Sequence, residues 1–125
     1  MKVRIKRVYE PPAPSDGDRI LVDRLWPRGF THDEARIDGW VRDLGPSTEL
    51  RRWFGHDPAR FDEFRRRYMA ELAAKRPALT ELRRRARARP LTLIYAARDA
   101  EHNDAVVLAE VLRRGIRSET RKQAP

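Results

Sequence analysis

The sequence predicts a single three-layer α/β domain, with a small, mainly parallel sheet of about three strands flanked by about five helices. Three observations carry that expectation. Two short apolar runs, Ile20-Leu21-Val22 and Pro90-Leu91-Thr92-Leu93-Ile94-Tyr95-Ala96-Ala97, read as inner strands covered on both faces. The segments between and after them repeat apolar residues at helical spacing. The length of 125 residues suits one core, and neither an internal repeat nor a linker divides it.

Taken in order, Val3 and Ile5 alternate with Lys2, Arg4 and Lys6, the pattern of a strand with one wet face near a sheet edge. Pro11, Pro12, Pro14 and Gly17 then forbid regular structure. This connection is short for a helical crossover, so the relative direction of the first two strands stays open. Thr31 and Glu34 have the spacing of a capping box, and Ile37, Trp40, Val41 and Leu44 extend the predicted helix to Gly45-Pro46. Ser47 caps a short helix that buries Leu50, Trp53 and Phe54. Asp57-Pro58 starts a longer one with Phe61, Phe64, Tyr68 and Leu72 inward. Pro77 opens another, with Leu79, Leu82 and Ala86 inward and Arg83, Arg84, Arg85 and Arg87 outward. A last helix shows Val107, Leu108, Val111 and Leu112 on one side and stops at Gly115. The domain is therefore expected over 1–115, with a basic, frayed tail over 116–125.

The absence of cysteine excludes disulfides and thiolate chemistry, and a cytoplasmic home is expected. The first residues alternate charged and apolar types and lack the apolar run of a signal peptide. No run approaches membrane-spanning length, so no membrane partner is expected. Twenty-eight Lys and Arg against nineteen Asp and Glu leave a net charge of +9, most of it arginine. Such a balance points to an anionic partner, nucleic acid included, or to a solvated basic face.

The two inner strands end alike. One runs into Asp23-Arg24 and a loop with Trp26, Arg28 and Gly29; the other ends at Tyr95 and a loop with Arg98, His102 and Asn103. If the strands are parallel, both loops meet at the sheet edge that carries ligands in open α/β folds. The last helix would start there and present free N–H groups. Arg24, Arg28 and Arg98 would then grip a phosphate or carboxylate, and Trp26 would stack. Asp23 and His102 are the candidate catalytic groups, to orient a ligand or move a proton. Gly29, Tyr95 and Asn103 complete the candidate binding set. Each also has a structural reading: Asp23 in a buried ion pair, Trp26 as a roof on the core, His102 as a surface residue, and Asn103 or Asp104 as a helix cap. His56 reads as a turn residue, and Trp53, Phe54 and Tyr68 as packing. The Gly-rich dinucleotide and P-loop signatures and the nucleophile elbow are missing. His32, His56 and His102 lack metal-ligand spacing, so no metal site is expected, and no cofactor is indicated.

Four stretches resemble the YeaO-like branch of the domain-of-unknown-function 488 (DUF488) family. They are Leu21-Val22-Asp23-Arg24-Leu25-Trp26-Pro27-Arg28-Gly29, the segment 45–58, the segment 64–72, and the segment 91–105 with His102-Asn103-Asp104. The resemblance spans 3–115 and implies an α/β domain with a small, mainly parallel sheet and no established activity. A distant branch of that family carries Cys-His-Arg after the last strand; the chain has no cysteine there, so a thiol role does not carry over. The usual pattern of the closer branch is similar to His-Asn-His. Asp104 departs from it, which puts the weight on His102 and Asn103. The leading expectation is a site for a small anionic, phosphate- or nucleotide-like ligand at the strand ends, with turnover open. The alternatives are a nucleic-acid-binding or regulatory module using the arginine-rich helices, and a homodimer built on the long helical hairpin.

Overall fold

The computed structural model describes residues 1–114, so the expected helix stop at Gly115 and the tail over 116–125 lie outside the described residues. The sheet has four strands in the order β1-β4-β2-β3, all parallel: β1 (Val3–Arg7), β2 (Asp18–Leu21), β3 (Gly39–Trp40) and β4 (Leu91–Tyr95). Five α-helices accompany it: α1 (His32–Ala35), α2 (Thr48–Phe54), α3 (Phe61–Ala73), α4 (Arg76–Ala88) and α5 (Asp104–Arg114). The α/β class, the small parallel sheet and the five helices match the expectation from sequence.

Strand β4 is central, and Ile5 and Ile20 both lie in register with its Leu93. Alternation along the strands divides the apolar residues between the two faces. Val3, Ile20, Val22, Leu91, Leu93 and Tyr95 meet the inward residues of α2, α3, α4 and α5, including Leu50, Phe64, Leu72, Leu79 and Leu108, in the main core. The other face carries Leu21 and Ile94 and is covered by Val8, Ala35, Trp26, Phe30, Ile37 and Trp40. The third layer is therefore thin, made of α1 and the extended segments around it.

One expectation is corrected, and one open point is settled. The helix read from Thr31 to Leu44 stops after one turn: the capping box forms, with Glu34 N–H donating to Thr31 Oγ1 at 3.1 Å, but Arg36 turns left-handed at φ 50°. The chain then enters β3, the fourth strand, and a 3₁₀ turn over Arg42–Leu44. The apparent stripe splits, with Ile37 and Trp40 on the thin face and Val41 and Leu44 on the helical face. The first strand also proves parallel to β4, as does β2. Residues 8–17 return along the sheet with a single 3₁₀ turn over Pro14–Asp16 and no α-helix; at about 3.3 Å per residue an extended chain easily spans a five-residue strand.

The foot of the thin face is polar and closed. Asp16 accepts from Arg19 Nη1 at 2.7 Å, Lys6 Nζ at 3.0 Å and Ala13 N–H at 3.0 Å. Arg19 also donates to the carbonyls of Arg36 and Ala35. Burial alone would raise the Asp16 carboxyl, but the Ala13 N–H and the two cations outweigh it and hold it below the ordinary range. The cluster pins the entry to β2 against β4, where Thr92 Oγ1 donates to the Asp16 carbonyl at 2.7 Å.

Candidate functional site

Parallel pairing of β2 with β4 brings the two inner strand ends together, as the sequence suggested. Val22 N–H donates to Ile94 O at 3.0 Å, and one residue further the Asp23 carboxylate accepts from Ala96 N–H at 2.9 Å. Above this junction opens a cleft of about 730 Å³. Asp23, Arg24, Trp26, Arg28, Arg98 and Asn103 line it. So do Arg51, Arg52, His56 and Asp104, which sequence reasoning did not place there.

Its floor is a pair of carboxyl groups. Asp104, the first residue of α5, is hydrogen-bonded through its side chain to Asp23. Two carboxyl groups can bond this way only if one carries a proton. Burial, then the Asp23 charge and the shared hydrogen bond, push the Asp104 carboxyl well above the ordinary range. Asp23 is raised as well, chiefly by burial, against the lowering effect of its bonds to Asp104 and Ala96 and of His56 and Arg51 nearby. Both carboxyls are thus raised, and the pair holds one proton between them.

The loop over residues 44–47 forms one wall and is held from both sides. Arg24 donates Nε to Pro46 O and Nη2 to Gly45 O, each at 3.0 Å. From α3, the buried Tyr68 hydroxyl donates to Leu44 O at 2.5 Å, and Glu71 accepts from Ser47 N–H and Oγ at 2.9 and 2.7 Å. Burial, with the charges of Asp104 and Asp23 behind it, pushes the Tyr68 phenol far up, so this donor stays protonated. Ser47 Oγ in turn accepts from Leu50 N–H and caps α2. Gly45 sits so close to the end of β2 that a Cβ would lie 2.8 Å from Val22 O and 3.1 Å from Arg24 N. Gly45→Ala is expected to push the loop off the strand and cost about 1–3 kcal/mol, as overpacking does; a chemical-denaturation midpoint checks it.

The opposite wall is the turn before α5. Asp99 Oδ1 accepts from Glu101 and His102 N–H at 2.9 and 3.1 Å, and its Oδ2 pairs with His102 Nδ1 at 2.8 Å. Asn103 caps α5: its Oδ1 accepts from Val106 N–H at 3.0 Å, and its Nδ2 donates to Asp99 O at 2.8 Å. The Tyr95 hydroxyl reaches the Asn103 side chain, and burial raises its titration.

The candidate residues thus divide. Asp23 lies on the floor. Arg28 and Arg98 stand at the exposed rim with Arg52, none of the three with an ion pair among the described residues, and Arg51 stands partly buried beside them within the field of Asp23. Arg24 lines the cleft with two of its nitrogens committed to the wall. Trp26 both lines the cleft and roofs the thin-face core, donating Nε1 to Phe30 O at 2.7 Å and standing edge-on to Trp40 at 5.4 Å. Gly29 is exposed at φ 83°. His102 is turned onto Asp99 and the edge of Phe61, at 5.1 Å, and does not line the cleft. Among the described residues no three His, Cys, Asp or Glu side chains come together as metal ligands, and no helix is long and apolar enough to cross a membrane.

The fold and site define a parallel α/β-domain protein with an acid-floored, arginine-rimmed cleft at its strand ends. The chain belongs to the DUF488 family, matching over residues 2–125 the group described as the inactive DUF488-N3 subclade. It is 45% identical over 113 residues to the uncharacterized protein YeaO of Escherichia coli, covering 90% of this chain and 98% of that one. It is 46% identical over 111 residues to the uncharacterized protein Rv3073c of Mycobacterium tuberculosis, covering 89% of this chain and 93% of that one. No solved structure matches it.

Proposed function

We propose that the cleft binds a small phosphate-bearing ligand, as a recognition site rather than a centre of turnover, in a cytoplasmic protein. One observation carries this reading: Arg28, Arg52 and Arg98 gather around one cleft without an ion pair among the described residues, and Arg51 lies with them, close enough to Asp23 to act on its charge. Unpaired guanidinium groups at a concave surface favour a doubly hydrogen-bonded anion. The arginines of the long helices differ. Arg65 pairs with Glu110, Arg66 and Arg67 with Glu63, Arg84 with Glu81, and Arg85 with Asp18. That pairing weakens the field α3 and α4 present, which favours the cleft over those helices as the anion site. The inactive label of the subclade favours binding without chemistry.

Thermal denaturation with inorganic phosphate, pyrophosphate and nucleoside monophosphates tests the reading. Binding to the native state raises the melting temperature by mass action. A rise that is reduced in Arg51→Gln/Arg98→Gln and kept in Arg66→Gln/Arg84→Gln is the expected result. No rise with any of these compounds, or equal loss in both double variants, overturns it. Arg24→Ala is a poor probe, because it also releases the wall over 44–47.

A further inference from the structure

The floor and the rim of the cleft ask for different groups. The rim is cationic and suits the anion. On the floor, the single proton of the Asp23–Asp104 pair is spent on the bond between its two members. Asp23 also accepts from Ala96 N–H, and Asp104 from Ala105 N–H. Both residues remain partly exposed at the cleft. What they turn to a ligand is therefore lone pairs and a negative charge, with no donor. A phosphate oxygen set there is repelled, and a plain hydrocarbon takes water off the carboxyl oxygens and returns nothing. The complement of this floor is a set of hydrogen-bond donors.

The charge balance decides between a cationic donor and a neutral one. Arg51 and His56 already act on the Asp23 charge. Arg24, Arg28, Arg52 and Arg98 add further guanidinium groups around the same cleft. An ammonium group would enter this excess of positive charge, so a neutral hydroxyl is the better complement. Leu25, Trp26, Pro27 and Phe54 supply apolar lining, against which the C–H groups of a carbon chain or ring can pack. Resting on the phosphate reading above, we infer that the cleft takes a phosphorylated polyol of the sugar-phosphate class, with its hydroxyl groups donating to the Asp23–Asp104 pair and its phosphate among Arg28, Arg51, Arg52 and Arg98.

The proposal makes the acid pair the selector of what the phosphate is attached to. Calorimetric titration compares esters that differ only in their donors. Glycerol 3-phosphate is set against 2,3-difluoropropyl phosphate, whose fluorines replace the hydroxyls and cannot donate. Ribose 5-phosphate is set against cyclopentylmethyl phosphate, a ring without hydroxyls. At least one polyol ester is expected to bind about tenfold or more tightly than its donor-free partner, because an analogue lacking the hydroxyl leaves the site's polar groups unpaired. Asp23→Leu/Asp104→Leu takes the acceptors off the floor. It is expected to abolish that advantage while the donor-free esters still bind. Should this variant not melt cooperatively, the paired esters on the unmodified protein decide the proposal alone.

Equal binding within both pairs would overturn the polyol assignment and leave the phosphate reading standing. So would an advantage that survives in the double variant, or tighter binding of 3-aminopropyl phosphate than of glycerol 3-phosphate. Absence of binding by every ester would remove both.

Discussion

Raising the pH is expected to destabilise the protein as the Asp23–Asp104 pair ionises, and Asp104→Asn is expected to flatten that loss. The native carboxyls titrate above the ordinary aspartate value of 3.8, Asp104 well above it. Below 3.8 both folded and unfolded chains hold these protons, and the full stability is present. Above it the unfolded chain releases its protons first, so the native state binds more of them and stability falls with pH. The loss runs until pH passes the raised native values and then levels off. Each unit of separation corresponds to about 1.4 kcal/mol.

Asp16 acts in the opposite sense. Its native carboxyl is lowered, so its contribution is present above the unfolded value and is lost as pH falls through the native one. Urea midpoints of the two proteins across a pH series measure both limbs. Below 3.8 the two curves should run parallel, and above 3.8 the limb should be flatter in Asp104→Asn. Parallel curves on that limb would show that no proton is shared on the floor.

Phe64→Ala is expected to be the most damaging single truncation near the site. Phe64 is 1% exposed and stacks on Phe54 at 4.2 Å. It also stands 6.0 Å from Phe61 and 5.6 Å from Tyr68. Removing the ring deletes the contact that seats α2 on α3 and leaves a cavity behind the cleft. Such truncations cost about 3–5 kcal/mol, a large part of the 5–15 kcal/mol typical of a domain. A fall in melting temperature of roughly 10–20 °C follows for a chain of this size. A fall of only a degree or two would mean that α2 is seated by other contacts, and that Arg51 and Arg52 do not depend on this ring for their place.

What the sequence made legible follows from how local each signal is. The runs at 20–22 and 90–97 are apolar on both faces, so each announces an inner strand without reference to the other. Their ends, including Asp23 and Arg98, could be placed on one edge by the parallel rule alone. Strand β3 was illegible because it is two residues long and its neighbours fall at helical spacing while packing on opposite faces of the sheet. Asp104 was passed over because it lies beside a helix cap and departs from the pattern of the resembling family. What gives it meaning is the adjacency of β2 and β4, a fact of strand order that no local window contains. Arg51 and Arg52 share a short helix with Leu50, Trp53 and Phe54, whose packing signal dominated it. Their adjacency just beyond the Gly45-Pro46-Ser47 loop was the one available hint. His102 was favoured for its chemistry, but the Asp99 turn directs its ring to Phe61.

The placing of β4 has a temporal consequence. The strand that pairs with both β1 and β2 begins at Leu91, and β1 and β2 do not pair with each other. During synthesis the first two strands therefore leave the ribosome without the strand that stands between them, and wait for some seventy residues to follow, a high-contact-order arrangement. The cleft floor waits longer still, since Asp104 follows β4. Amide protection in β1 should accordingly arise in one step with that of β4, and a nascent chain halted before Leu91 should present β1, and the edge of β2 that faces away from β3, to chaperones.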